Sequence, residues 1–230
     1  MGTLALQLKY LRKQRPIKAR PKRPITQAII ALWLPHLGST LKNITIRTAL
    51  AVAYAHMLRA GEYTCSLDSY RIDNRFRLNW QDIEFGYDSE QNPVILKICI
   101  KLPKSFGYKF KQEYTISQCT CTKLPFCALH LLLQLWKLVT PANLSTPVFL
   151  INGSWLTPTQ MRNAITELCV AADLDATFYT CHGFRSGACT DLKLNGTDDT
   201  IICKLGRWSS DMWKEHYLLL DLFDVLRLTK

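Results

Sequence analysis

Between Cys181 and Leu218 the chain reads CHGFRSGACTDLKLNGTDDTIICKLGRWSSDMWKEHYL, and this stretch constrains the rest more than any other. His182 and Arg185 stand three residues apart, so a helix there puts both side chains on one face, where they can address a single anionic group. Asn195-Gly196 breaks the helical pattern, Leu205-Gly206-Arg207-Trp208 follows, and Tyr217 stands nine residues beyond Trp208. Phosphate suits an Arg fork, because the guanidinium donates two parallel hydrogen bonds to two oxygens. A downstream Tyr supplies a hydroxyl able to attack phosphorus.

The charge balance points the same way. At 230 residues the chain has length for a substantial core. Its formal charge of +11 and isoelectric point near 9.3 suit a polyanionic partner. From Lys9 to Arg23 come Lys9, Arg12, Lys13, Arg15, Lys18, Arg20, Lys22 and Arg23 without one acidic residue. Pro16, Pro21 and Pro24 interrupt any helix there, so residues 1–24 read as an extended basic arm able to track phosphates. No apolar run approaches the ~18–20 residues of a membrane span. The N-terminus lacks a secretory pattern, and nine irregularly spaced Cys suit a reducing compartment.

Along the chain, Thr26 is placed to cap a helix to about Leu37, with Gly38 as its stop. Ile46, Leu50, Ala53, Tyr54 and Met57 give a second helix, Ile44 to Arg59, an apolar stripe. Residues 78–85, 94–101 and 108–116 alternate as three strands. FCALHLLLQLWKLV, from Phe126, is apolar nearly all round and predicts a buried helix. Thr157-Pro158 opens another, running to about Ala172. Further helices follow from His182 to Leu194, after a Thr197 or Asp198 cap, and after Ser209-Ser210-Asp211. Cys119, Cys121, Cys127 and His130 are zinc-ligand types. Their spacing matches none of the usual pairings, so they are expected to pack, and neither a metal nor a cofactor is expected.

The LGRWSSD string resembles the C-terminal signature of the tyrosine recombinases, the phage-integrase-type family, and in particular the form found in tyrosine-recombinase transposable elements. MLRAGEY resembles the family's first Arg motif, with Arg59 followed by Glu62. The resemblance implies a mainly α-helical α+β catalytic domain over residues 25–230, with a small three-stranded antiparallel sheet and without the family's N-terminal core-binding domain. It places a catalytic Lys at a hairpin, where Lys104 is the best match and Lys101 and Lys109 compete. The implied catalytic set is Arg59, Lys104, His182, Arg185, Trp208 and Tyr217, with Arg207 joining the basic arm in DNA binding. The implied activity is site-specific cutting and rejoining of double-stranded DNA through a phosphotyrosine, by a homo-tetramer, with neither metal nor ATP. The location would be nuclear in a eukaryote, otherwise cytoplasm or nucleoid. Two other readings stay open: a catalytically silent DNA-binding remnant of a mobile element, and a topoisomerase of the same chemistry. The register of the nucleophile also stays open, since related sequences often place Tyr where this one has His216.

Overall fold

One central helix organises the core: α2, Leu41–Ala55, buries residues on nearly every side from Ile44 to Tyr54. The computed structural model describes residues 22–65, 78–101, 112–121, 126–211 and 213–217. Lys104, its competitor Lys109 and the arm residues from Lys9 to Arg20 lie outside these residues. Helix α1, Gln27–Trp33, precedes α2 and runs into a single 3-10 turn, Leu34–His36. The helical pattern thus ends earlier than Gly38 suggests, because Pro35 has no N–H to continue it. Thr26 stands at the N-cap position without a side-chain bond. Instead, the Gln27 N–H donates to Asp191 Oδ2 at 2.7 Å, which also accepts the Tyr54 hydroxyl at 2.5 Å.

The apolar pattern also carries α2 too far. The helix stops at Ala55, Met57 takes a positive φ of 46°, and Arg59 becomes the N-cap of the short helix α3, Ala60–Tyr63. At the other end, Thr40 caps α2 by accepting the Asn43 N–H at 3.3 Å.

The three-stranded sheet is antiparallel in the order β1 (Ile83–Tyr87), β2 (Pro93–Lys101), β3 (Gln112–Gln118). Ile98 lies opposite Ile83 on one side and Thr115 on the other. Leu96, Ile98 and Ile100 point into the core, the period-two alternation expected of a half-buried strand. Residues 80–82, expected in a strand, form a 3-10 turn because Asp82 Oδ2 accepts the Asn79 N–H at 2.9 Å.

Helix α4, Ala128–Val139, packs on α2 and β2. The hairpin β4 (Leu150–Ile151) and β5 (Ser154–Trp155) turns through Asn152-Gly153, both at positive φ. Asn-Gly is the favoured dipeptide for this turn, a local signal that the strand pattern around it is too short to reinforce. Helix α5, Pro158–Ala171, starts with Thr157 accepting the Gln160 N–H at 3.0 Å while the Gln160 side chain accepts the Thr157 N–H at 2.8 Å.

Helix α6, Gly183–Leu194, ends before Gly196, whose φ is +75°. Asp198 then caps α7, Asp199–Leu205, by accepting the Thr200 N–H at 2.8 Å. Helix α8, Trp213–His216, leads to Tyr217. Among the described residues no helix is long and apolar enough to cross a membrane.

Candidate active site

Helix α6 sets the floor of the site. Its N-terminal end lies directly on the chain around Ile25. A methyl at Gly187 would stand 1.8 Å from the Ile25 carbonyl oxygen, and one at Gly183 would stand 2.8 Å from Ile25 Cγ1. These two glycines let the backbones touch. The packing holds His182 at the N-cap, exposed, and sends Arg185 inward to full burial.

Burying a guanidinium is costly unless its protons find acceptors. Arg185 Nη1 donates to the Met57 carbonyl at 2.6 Å and Nη2 donates to the Gly206 carbonyl. Its Nε has no hydrogen-bond partner among the described residues. The rings of Trp208 and Tyr217 cover its planar face, with centroids 4.6 and 5.2 Å from Cζ. Burial lowers its pKa to about 10, with the charges of Arg59 and Arg207 adding to the effect and Glu62 opposing it. The group stays charged at neutral pH.

Glu62 is the counterweight. Its two carboxylate oxygens accept the Arg59 N–H at 2.8 Å, Arg59 Nη1 at 2.9 Å and Arg207 Nη2 at 2.6 Å. The Arg59 side chain is 20% exposed, that of Glu62 6% and that of Arg207 5%. Arg207 also donates to the His56 carbonyl at 3.1 Å, and its Nε lies 3.7 Å from Glu113 Oε2. Sequence alone assigns Arg207 to the DNA-binding surface. The structure makes it an internal tie instead, its backbone in the left-handed region at φ 55° and its fork turned onto carboxylates. What sequence reasoning misses is that Glu62 serves two arginines as distant in the chain as Arg59 and Arg207. The Glu in MLRAGEY is the only clue to it.

His56 supports this tie from below. Its Nδ1 lies 3.1 Å from Thr115 Oγ1 and its Nε2 3.0 Å from Ser117 Oγ, both on β3. Burial first, and then the charge of Arg207, push its pKa down to about 3, so it is neutral at physiological pH. No sequence signal separates this His from any other histidine.

Above Arg185 the aromatic groups form a continuous cluster. Tyr217 lies 5.0 Å from both the His182 and the Trp208 ring centroids, and Trp208 stacks on Trp213 at 5.4 Å. Trp208 is thus packed among Trp213, Tyr217 and the Arg185 guanidinium. Its indole N–H is buried without a hydrogen-bond partner among the described residues. Gly206 makes room for the ring, since a methyl there would meet Trp208 Cζ3 at 1.9 Å. The structure thus brings Arg59, His182, Arg185, Trp208 and Tyr217 into one cluster.

Lys101, the competing hairpin Lys, has its Nζ 2.7 Å from Asp82 Oδ2. Of the arm, Lys22 donates to the Thr177 carbonyl at 2.8 Å and Arg23 lies over the Phe178 ring at 4.6 Å.

No protein-family model matches the sequence, and no curated protein does. Solved structures do match in fold. The XerH site-specific recombinase bound to palindromic difH substrate, in a post-cleavage complex, superposes with a TM-score of 0.58 at 14% identity, over 86% of this chain and 51% of that one. The XerA recombinase gives 0.58 at 14% identity, over 91% and 63%. The Tn1549 transposon integrase in complex with transposon right end DNA gives 0.55 at 15% identity, over 91% and 65%. The chain spans about half the length of the XerH chains it matches. At such identities the likeness is one of architecture: this chain has the fold of the tyrosine-recombinase catalytic domain.

Proposed function

We propose that this chain is the catalytic part of a DNA recombinase that cuts and rejoins duplex DNA through a phosphotyrosine at Tyr217. The observation that carries the reading is the convergence of Tyr217 with the Arg185 guanidinium and the His182 ring, from segments that share no local reason to meet. A second support is charge. Arg59, Arg185 and Arg207 gather around Glu62, with Glu113 at the edge, which leaves a cationic surplus that a phosphodiester would neutralise.

In this reading the Tyr217 oxygen attacks phosphorus and loses its proton, with His182 as acceptor or as a donor to the phosphate. The bond to the DNA 5′ oxygen breaks as the phosphotyrosyl ester forms. The leaving oxygen takes a proton, a role the family resemblance gives to Lys104. Arg59 and Arg185 hold the non-bridging oxygens, where charge develops. One ester replaces another, so the later attack of a DNA hydroxyl regenerates Tyr217 without an energy source. Removing a fixed donor at such a site costs ~10²–10³-fold in rate.

A nicked duplex that loses a short strand after cleavage traps the adduct. Wild-type protein is expected to yield an SDS-resistant DNA complex and Tyr217→Phe none. Absence of adduct from folded wild-type protein sinks the reading. One observation favours the silent DNA-binding alternative: both Arg185 Nη groups donate to backbone carbonyls and the side chain is fully buried. That alternative expects salt-sensitive DNA binding with no cleavage. Plasmid relaxation without joining of duplexes would instead indicate a topoisomerase. Assembly as a tetramer on paired sites belongs to the same proposal.

A further inference from the structure

The geometry points to a structural zinc site formed by Cys119, Cys121, Cys127 and His130, separate from the proposed chemistry at Tyr217. The ligand atoms of these four side chains all lie within 4.8 Å of one another. The Cys127 and Cys119 sulfurs are 4.0 Å apart. His130 Nδ1 stands 3.1 Å from the Cys121 sulfur, 3.4 Å from that of Cys127 and 3.7 Å from that of Cys119. Around a tetrahedral zinc, with Zn–S near 2.3 Å and Zn–N near 2.0–2.1 Å, sulfurs stand about 3.8 Å apart and sulfur–nitrogen pairs about 3.5 Å apart. The sulfur–nitrogen distances bracket their value and the Cys119–Cys127 sulfur distance lies just above its own, so a metal fits with small side-chain adjustments.

The local backbone explains why a spacing that looks irregular in sequence converges in space. Cys119 follows directly on β3, and Cys121 lies two residues further on, in the turn that leaves the strand. Cys127 is the N-cap of α4 and His130 lies three residues on, on the same helix face. Thr120, between Cys119 and Cys121, ties the two halves together. Its hydroxyl donates to the Phe126 carbonyl at 3.1 Å, and its N–H points at the Cys127 sulfur at 3.4 Å. An N–H aimed at a sulfur is the kind of outer interaction that steadies a metal thiolate.

Ordinary packing does not account for the cluster. Cys127 is buried, but Cys121 and His130 are exposed, where apolar burial gives no reason to gather. A disulfide does not account for it either. Cys119 and Cys127 would have to close from 4.0 Å to about 2.05 Å, and the bond would leave Cys121 and His130 without a role. Three thiolates and an imidazole in tetrahedral array suit zinc. With all four positions filled by protein, the site is structural and has no open position for chemistry.

Such a metal clips the end of β3 to the start of α4. β3 carries Thr115 and Ser117, which hold His56, whose carbonyl in turn accepts from Arg207. The clip therefore fixes the sheet that backs the Arg207–Glu62 tie.

The test uses the full chain purified under reducing, oxygen-free conditions. Elemental analysis is expected to find one zinc per chain. A mercurial thiol reagent should release it to a chromophoric chelator. Replacement with Co(II) should give the intense visible bands of a tetrahedral thiolate site. Cys121→Ser and His130→Asn, at exposed positions that leave the core intact, should each lower zinc affinity by more than the ~10–100-fold that removing an outer partner costs. Cys99→Ser, on β2, should leave it unchanged.

The proposal is overturned if the folded wild-type chain holds far less than one equivalent of zinc and gives no tetrahedral cobalt spectrum on titration. It is also overturned if Cys121→Ser binds zinc as tightly as wild type, or if a Cys119–Cys127 disulfide persists in protein kept reduced. Circular dichroism of each variant separates loss of metal from loss of fold.

Discussion

Neutralising Glu62 tests the electrostatic design of the site most directly. Glu62→Gln keeps the volume and removes the charge that Arg59 and Arg207 share at 2.9 and 2.6 Å. The Glu62 and Arg207 side chains are only 6% and 5% exposed, so solvent cannot take over the screening. Breaking a buried pair while leaving its partner charged costs about 3–5 kcal/mol. At the lower end, with ~2–4 °C per kcal/mol for a chain of this size, the melting temperature falls by about 6–12 °C. Urea unfolding at moderate and at high salt is the assay, since ions screen buried pairs weakly and the loss should persist at high salt. A double-mutant cycle with Arg207→Met should show the double variant losing roughly 1 kcal/mol or more less than the sum of the singles. A loss below about 1 kcal/mol for Glu62→Gln, or full recovery in high salt, would mean that the pair is solvated and that the charge argument fails.

Three other expectations follow, two from the structure and one from the sequence and the proposed function. His56 has a folded pKa of about 3 against about 6.5 unfolded, so its stabilising contribution is complete above about pH 6.5 and is lost as pH falls towards 3. Between pH 6.5 and 5 the wild type should lose up to about 2 kcal/mol, and His56→Gln should flatten that slope in urea titrations run across the same range. Gly187→Ala drives a methyl into the Ile25 carbonyl. It should cost ~3 kcal/mol or more and make the segment around Ile25 sensitive to limited proteolysis. Replacing Lys9, Arg12 and Lys13 by Ala should weaken DNA binding and reduce the slope of log affinity against log salt by ~0.9 for each phosphate that is no longer neutralised.

Much of the fold is legible where local chemistry decides it. Thr157-Pro158, Asn195-Gly196 and the alternation of VILKICIK each act through neighbours in sequence, and the helices and strand they predict are there. The misses lie where other interactions decide. The α2 helix stops short of Arg59 because Arg59 itself caps the next turn, and residues 80–82 leave the strand because Asp82 reaches back to Asn79. The residues that gather around Arg185 are legible as an ordered set of types through the family resemblance. The part played by Arg207 is not, because its charge reads as surface in sequence and only the positions of Glu62 and Glu113 turn it inward. The Cys/His group looks like packing in sequence because spacing along the chain hides that a strand end and a helix start face each other.

The close approach of residues 23–27 to α6 has a mechanical consequence. The Arg23 N–H donates to the Phe178 carbonyl at 2.9 Å, the Ile25 N–H to the Gly183 carbonyl at 2.9 Å, and the Gln27 N–H to Asp191. Ile25 and Gln27 are thereby tied to the helix that carries Arg185 at its first residue and near its last turn, and Arg23 to the 3-10 turn that precedes it. A pull on the chain ahead of Arg23 would therefore load the turn at Phe178 first and that helix next.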